Sequence, residues 1–343
     1  QTRMVGREAE LKTLQDAFLA VAEDEERQAV TIFGEPGIGK SRLLLEFQNW
    51  LQAAPAPTLT WRGRSRSELQ STPYALLRDL VQFSFGLEDG EPAASAQSKV
   101  EAGFRRFFPL DGELRAHWVG ALLGLALPSS SHLGAAADPQ EIHDRARRYL
   151  LELLQAGERL NVILLEDIHW ADDSSLDLLA DLSAPGAGRK PALFIFLARP
   201  TLLERRPHWG EGQAGMQRIM LKPLAKRDSR RLVEEILQKI KDPPQELREQ
   251  IVAAAEGSPL FLEELVKVLI QEGVITCTPQ AWQAHPERLE GLHLPPSLAG
   301  ILQARIDHLP LEERQALQQA PMFGRLFWDQ ALVQLPGTAR EQR

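Results

Sequence analysis

Gly34-Glu35-Pro36-Gly37-Ile38-Gly39-Lys40-Ser41 is the stretch that decides the fold, because it satisfies the pattern G-x-x-x-x-G-K-[ST]. The run before it, Ala29-Val30-Thr31-Ile32-Phe33, is β-rich. After it Leu43, Leu44, Leu45, Phe47, Trp50 and Leu51 recur at helical spacing. A glycine-rich turn between strand and helix lets backbone N–H groups face inward around an anion, at the positive end of the helix dipole. Gly37 and Gly39 are the positions expected to tolerate a β-carbon least. The chemistry that uses this pattern is triphosphate binding, with Lys40 reaching the β- and γ-phosphates and Ser41 ligating Mg²⁺. Gly34, Pro36, Ile38 and Arg42 are counted with the loop as nucleotide contacts. The pattern does not choose a base.

Further along, Asn161-Val162-Ile163-Leu164-Leu165-Glu166-Asp167 reads as an apolar strand ending in paired acids. Ligands of parallel sheets bind at the carboxyl ends of strands, so these acids are expected at the phosphates. Glu166 is assigned to the metal and Asp167 to the attacking water, although either assignment suits the sequence. The following His169-Trp170-Ala171-Asp172-Asp173-Ser174-Ser175 has two readings of equal weight. Asp173 or Ser174 caps the next helix, or the loop faces the γ-phosphate. His169 is not expected to ligate metal, since no partner cluster accompanies it. Phe194-Ile195-Phe196-Leu197-Ala198-Arg199 is a second apolar strand, ending in an arginine suited to a γ-phosphate. Arg62, Arg64 and Arg66 read as a solvated loop after a short second strand at Thr58–Trp61.

Continuous apolar strands alternating with helices predict a parallel sheet covered on both faces. Helices are expected near 7–22, 74–84, 97–107, 140–158 and 174–182, an exposed loop at 128–140, and a last strand at Ile219–Leu221. After about Ala225 only helices are expected, at 228–241, 245–256, 260–273 and 297–308. The fold class is therefore α/β, a P-loop nucleotide-binding domain over 1–224 followed by an all-helical domain over 225–308. A further short segment occupies 309–343.

The net charge of −8 argues against a strongly basic nucleic-acid surface. The single cysteine, Cys277, excludes a disulfide framework within the chain and fits a cytoplasmic setting. No apolar run approaches the roughly 18 residues of a membrane span, and no signal peptide opens the chain. Starting at Gln1 and trailing off in a polar tail, the chain reads as a piece of a larger protein.

Met4-Val5-Gly6-Arg7-Glu8, the Gly34–Ser41 loop, Leu165-Glu166-Asp167-Ile168-His169-Trp170-Ala171-Asp172, Arg199-Pro200 and Gly257-Ser258-Pro259-Leu260-Phe261-Leu262-Glu263-Glu264 occur in this order. Together they resemble the STAND class of AAA+-related signalling ATPases. The likeness is to the bacterial group that accompanies adenylate/guanylate cyclase, kinase or LuxR-type regulator domains. It covers Met4 to about Trp328. It implies that Val5, Gly6 and Arg7 lie at the adenine edge, that Arg199 is the sensor arginine, and that Pro259 packs on the base from a helical lid. It also implies an ADP-held resting form, exchange for ATP, self-association of the full-length protein, slow Mg-dependent hydrolysis, and fused sensor and effector domains outside this chain. The segment after Leu311 resembles the opening of a winged-helix domain that stops short, which puts that domain's regulatory clamp in doubt. No membrane partner is implied, and nucleic acid is not expected for this chain. Two other readings remain open: an AAA+ DNA-handling ATPase of origin-binding or clamp-loading type, and a nucleotide-binding scaffold that never hydrolyses.

Overall fold

Gln28–Phe33 (β1) and Ala192–Ala198 (β4) are buried along their whole length, as strands covered on both faces must be. In the computed structural model they pair in parallel at the centre of a five-stranded sheet. The structure describes residues 3–319 apart from 55, 89, 126, 128–137, 189, 213–214, 241–242, 278–281, 289–296 and 308. These residues form two compact units, Met4–Lys222 and one built on Pro223 onward.

The first unit runs in chain order through α1 (Glu8–Glu23), β1, α2 (Lys40–Leu51), β2 (Thr58–Arg64), α3 (Ala75–Phe85), α4 (Ala93–Phe107), α5 (Gly112–Leu123), α6 (Pro139–Leu153), β3 (Leu160–Glu166), α7 (Asp173–Ser183), β4, α8 (Leu202–Arg205) and β5 (Met216–Met220). The sheet order is β2-β3-β4-β1-β5, all parallel. After β1 the chain crosses to the far edge, returns through β3 and β4, then passes over β1 to β5. The crevice at the carboxyl ends of β1 and β4 is thus the topological switch point. Apolar cores form on both faces. One joins Trp61, Leu80, Phe104, Leu150, Ile163 and Phe196; the other joins Phe18, Ile32, Leu43, Phe47, Leu164 and Ile195.

Several boundaries differ from the sequence expectation, each for a physical reason. Strand β2 extends three residues past Trp61, because Arg62, Gly63 and Arg64 stay in register with Leu164, Leu165 and Glu166. Arg62 and Arg64 are therefore strand residues, not loop. Helix α5 was not expected. It buries Ala116, His117, Trp118, Val119, Gly120 and Leu123 around nearly its full circumference, so it shows no polar face to mark a helical period. Helix α6 begins at Pro139, with Asp138 capping it through the Gln140 N–H, inside the stretch expected to be loop. Residues 128–137 of that expected loop lie outside the described residues. The last strand is Met216–Met220, displaced toward the N-terminus by pairing with β1.

The second unit carries α9 (Lys226–Leu237), α10 (Gln245–Ala255), α11 (Pro259–Gln271), α12 (Leu298–Asp307) and α13 (Leu311–Gln319). Its expected all-helical character needs one correction. A short antiparallel pair, β6 (Ile275–Cys277) and β7 (Trp282–Ala284), follows α11. Residues 320–343, the rest of the expected winged-helix start, lie outside the described residues.

Candidate functional site

Between β1 and α2 the chain makes its turn with Gly37 at φ 78° and Gly39 at φ 104°, left-handed backbone that an L side chain resists. Gly34 is constrained differently: a β-carbon there would meet Ile38 Cγ2 at 2.6 Å and Leu221 Cβ at 3.2 Å. The Gly34 N–H is anchored on Ala198 O at 3.2 Å, which ties the loop to the end of β4. Lys40 opens α2, and its Nζ donates to Gly34 O at 2.6 Å and Glu35 O at 3.0 Å. Burial lowers the pKa of this ammonium, Asp167 raises it, and Arg199 lowers it again. Ser41 is exposed in the first turn, Pro36 is exposed, and Ile38 is buried. Arg42 points along its own helix to Glu46 at 2.6 Å.

Arg7 is buried and braces the loop from behind. Its Nη2 donates to Ile38 O at 3.2 Å and Lys222 O at 2.6 Å, while Nη1 meets Glu10 at 3.2 Å. Val5 beside it is buried and Gly6 takes φ 70°. The Val5–Arg7 segment thus adjoins the phosphate-loop turn through a charged side chain bound to two backbone carbonyls.

Glu166 ends β3. Asp167 follows at φ 55°, one of few non-glycine residues in the left-handed region. A residue held there stores strain, and such residues concentrate at functional sites. Arg64, from the end of β2, places Nε and Nη2 both 2.8 Å from Asp167 Oδ2. It holds the acid that the sequence assigns to the water, and Asp167 in turn raises the arginine's pKa. The Arg64 N–H is bound to Asp79 Oδ2 at 2.7 Å, so β2 is pinned to α3 at the same point.

One turn of 3-10 helix, Ile168–Trp170, then buries His169. Neither ring nitrogen of His169 has a hydrogen-bond partner among the described residues. Burial pushes its pKa down to about 4, with Arg199 and Lys40 acting in the same direction and Asp167 opposing. Arg199 lies 5.9 Å from the Trp170 ring centroid. Lys40, Asp167, His169 and Arg199, drawn from three strand ends, therefore lie within one another's electrostatic reach.

Asp172 is a helix cap twice over. Its Oδ1 accepts from Ser175 N at 2.8 Å, capping α7, and from Tyr74 N at 2.9 Å. Its Oδ2 accepts from Ala75 N at 3.1 Å and Ser175 Oγ at 2.6 Å. The capping residue is thus Asp172 rather than Asp173 or Ser174. Asp173 instead pairs with Arg205 at 2.9 Å and Arg206 at 3.0 Å. Arg205 also donates to His169 O and Ala171 O, clamping the turn. Arg64, Arg205 and the second helix bound by Asp172 escaped the sequence. A signal for Arg64 was the alternation of Arg62 and Arg64 with inward Trp61 and Gly63. Pro259 belongs to the other unit, at the first position of α11 behind the Ser258 cap.

A parallel sheet ordered with β4 between the loop strand and the acid strand, a phosphate-type loop on its central strand and two acids on the strand beyond define a P-loop nucleoside triphosphatase fold. Comparison with known families narrows this: residues 3–195 match the AAA ATPase domain, and the chain belongs to that family. Residues 225–279 match a domain of unknown function. An uncharacterized protein of Rhizobium meliloti (strain 1021) is 29% identical over 276 residues, covering 78% of this chain. The chain spans only 25% of that relative's length. Among solved structures, a signal transduction ATPase with numerous domains (STAND) carrying a tetratricopeptide repeat sensor, from Pyrococcus horikoshii, aligns with TM-score 0.46 and 16% identity. That alignment covers 96% of this chain and 36% of the other. Aeropyrum pernix Orc1 in complex with DNA aligns with TM-score 0.48 and 12% identity, over 94% of this chain and 74% of that one. No helix among the described residues is long and apolar enough to cross a membrane.

Proposed function

We propose that this chain is the nucleotide-binding module of a larger STAND-type regulator, a switch that holds ADP at rest and slowly hydrolyses Mg-ATP. The observation that carries the reading is the convergence of Lys40, Asp167, His169 and Arg199 at the carboxyl ends of the sheet, beside a loop with two glycines at positive φ. The residues suit the group. The loop's N–H groups and the Lys40 ammonium offer donors to phosphate oxygens. The buried His169 ring offers nitrogens with no partner among the described residues. Ser41 and Glu166 supply the hard oxygens that Mg²⁺ takes. Bound Mg-ATP supplies the electrophilic phosphorus.

The chain's residues divide the remaining work. Lys40 and Arg199 neutralise phosphate charge. Asp167, once its Oδ2 is free of Arg64, accepts a proton from water. Arg7 keeps Ile38 and the loop in place. Val5, Gly6 and Arg7 flank the base, and Pro259 closes on it from a lid over 225–308. The winged-helix start, nucleotide-dependent self-association, fused sensor and effector domains and a cytoplasmic setting belong to the same proposal.

Lys40→Ala is expected to abolish binding of fluorescent ADP, and Asp167→Asn to bind ATP but not turn it over. Mass spectrometry of the nucleotide that co-purifies with the protein tests the rest. ADP supports a resting switch, whereas GDP overturns the base assignment. Unchanged nucleotide affinity in Lys40→Ala would sink the site itself. Salt-dependent DNA binding would favour a DNA-handling ATPase instead.

A further inference from the structure

Helices α4 and α5 belong to the helical insertion between β2 and β3, and none of the candidate nucleotide-site residues lies on them. Glu113 and His117 stand four apart on α5 and so share one face. Glu101 comes from α4. His117 Nε2 lies 3.1 Å from Glu101 Oε1, and one ligand atom from each of the three residues lies within 4.8 Å of the other two. The pair at the base is set by burial, with side-chain exposures of 3% for His117 and 12% for Glu101. Glu113, at 47%, stands at the solvent mouth. A cation already sits here: Arg105 Nη2 lies 3.2 Å from Glu101 Oε2 and 3.3 Å from Glu113 Oε2.

We propose that Glu101, Glu113 and His117 form a site for a divalent transition metal, zinc foremost. Solvent is the fourth ligand, and Arg105 holds the two carboxylates when metal is absent. Tetrahedral zinc with N and O ligands at about 2.0–2.1 Å separates those atoms by about 3.3 Å. The 3.1 Å hydrogen bond between His117 Nε2 and Glu101 Oε1 would give way to the metal, and it already holds the two atoms close to that spacing. The third ligand needs to close by at most about 1.5 Å, which a half-exposed glutamate achieves by changing rotamer. Gln97 donates to Glu101 Oε1 at 2.7 Å and orients that carboxylate from outside the ligand set. Two carboxylates balance a dication, and the imidazole selects zinc over magnesium, which takes oxygen ligands and keeps its waters. Arg105 is 51% exposed, so it can swing into solvent when displaced. A metal here would tie α4 to α5 across the turn at 108–111.

The test is calorimetric titration of Zn²⁺ into untagged, chelator-stripped protein, in excess Mg²⁺ so that the nucleotide site is not counted. One zinc per chain is expected. Glu113→Gln, an exposed change, and His117→Gln each remove a ligand and should weaken binding at least about tenfold, the least that loss even of an outer-shell partner typically costs. Arg105→Ala removes the competing cation and should tighten binding, the opposite of what loss of a purely structural ion pair would do. Lys40→Ala should leave zinc binding unchanged. Far-UV circular dichroism of the metal-free variants checks folding. If His117→Gln does not fold, Glu113→Gln and Arg105→Ala decide the matter. Absence of stoichiometric zinc uptake overturns the site, as does wild-type affinity in Glu113→Gln.

Discussion

Replacing Asp172 with alanine should destabilise the first unit by about 3–5 kcal/mol. The carboxylate is 4% exposed and accepts four hydrogen bonds, two from the first turn of α3 and two from that of α7. Loss of a side-chain N-cap costs about 1 kcal/mol, within a range of roughly 0.5–2. Here one residue serves two helices, so capping alone comes to about 2 kcal/mol. Water entering the vacated space satisfies most of the freed Tyr74, Ala75 and Ser175 N–H groups, and one donor that stays dry adds about 1–3 kcal/mol, which gives the range of about 3–5. Asp172→Asn keeps one acceptor oxygen but turns an amide N–H₂ toward backbone donors, so it should fall between alanine and wild type. The assay is urea unfolding of nucleotide-free protein followed by tryptophan fluorescence. Trp50, Trp61, Trp118, Trp170 and Trp209 lie in this unit, five of the seven tryptophans in the chain. Thermal melting is an independent check, with an expected loss of roughly 2–4 °C per kcal/mol for a unit of this size. If Asp172→Ala unfolds within about 1 kcal/mol of wild type at unchanged m-value, the carboxylate does not hold the two helices together.

Arg64→Ala should cost less than about 1 kcal/mol of stability, because the pair it makes with Asp167 is largely solvent-exposed. It should nevertheless raise basal ATP hydrolysis at least about threefold by freeing Asp167 Oδ2, equivalent to roughly 0.7 kcal/mol of barrier; a stability loss with unchanged turnover would refute the assignment. In the nucleotide-free protein, His169 is neutral with a folded pKa of about 4, below its ordinary value of 6.5. Between those values the unfolded chain binds more protons than the folded one. Stability should therefore fall as pH drops from about 6.5 toward 4, by at most about 3 kcal/mol, and His169→Gln should flatten that slope in pH-dependent unfolding. Gly39→Ala forces a side chain to φ 104° with no atom in its way, so nucleotide affinity should fall at least about tenfold through backbone strain, read by equilibrium dialysis.

What could be read from the sequence was local. The order strand, glycine turn, helix around Gly34–Ser41 lies within some twenty residues, and both β1 and β4 announce themselves as apolar runs. Glu166, Asp167 and Arg199 are marked by their position at strand ends. Helix α5 was hidden because a helix buried around most of its circumference has no continuous polar stripe. The β6–β7 pair was hidden because three-residue strands fall below any usable period. Gly34 was undervalued because its constraint is a neighbour's side chain, Ile38, and not its own dihedral angle.

The same distinction explains which parts of the site stayed hidden. Arg64 and Asp167 are 103 residues apart, and Asp172 and Tyr74 are 98 apart. Nothing short of the sheet register, Arg64 opposite Glu166, brings the first pair together. Both contacts run from the turn after β3 to the end of β2 or the start of α3, and Asp79 joins those two on Arg64 N. The turn after β3 is consequently fixed by two separate long-range links, an exposed, weak one at Asp167 and a buried, strong one at Asp172. On the proposed reading, the Arg64 pair is the one that can break at little cost in stability while Asp172 keeps the turn anchored. That asymmetry suits the proposed switch, and it follows from burial alone: 66% exposure for the Arg64 side chain against 4% for Asp172.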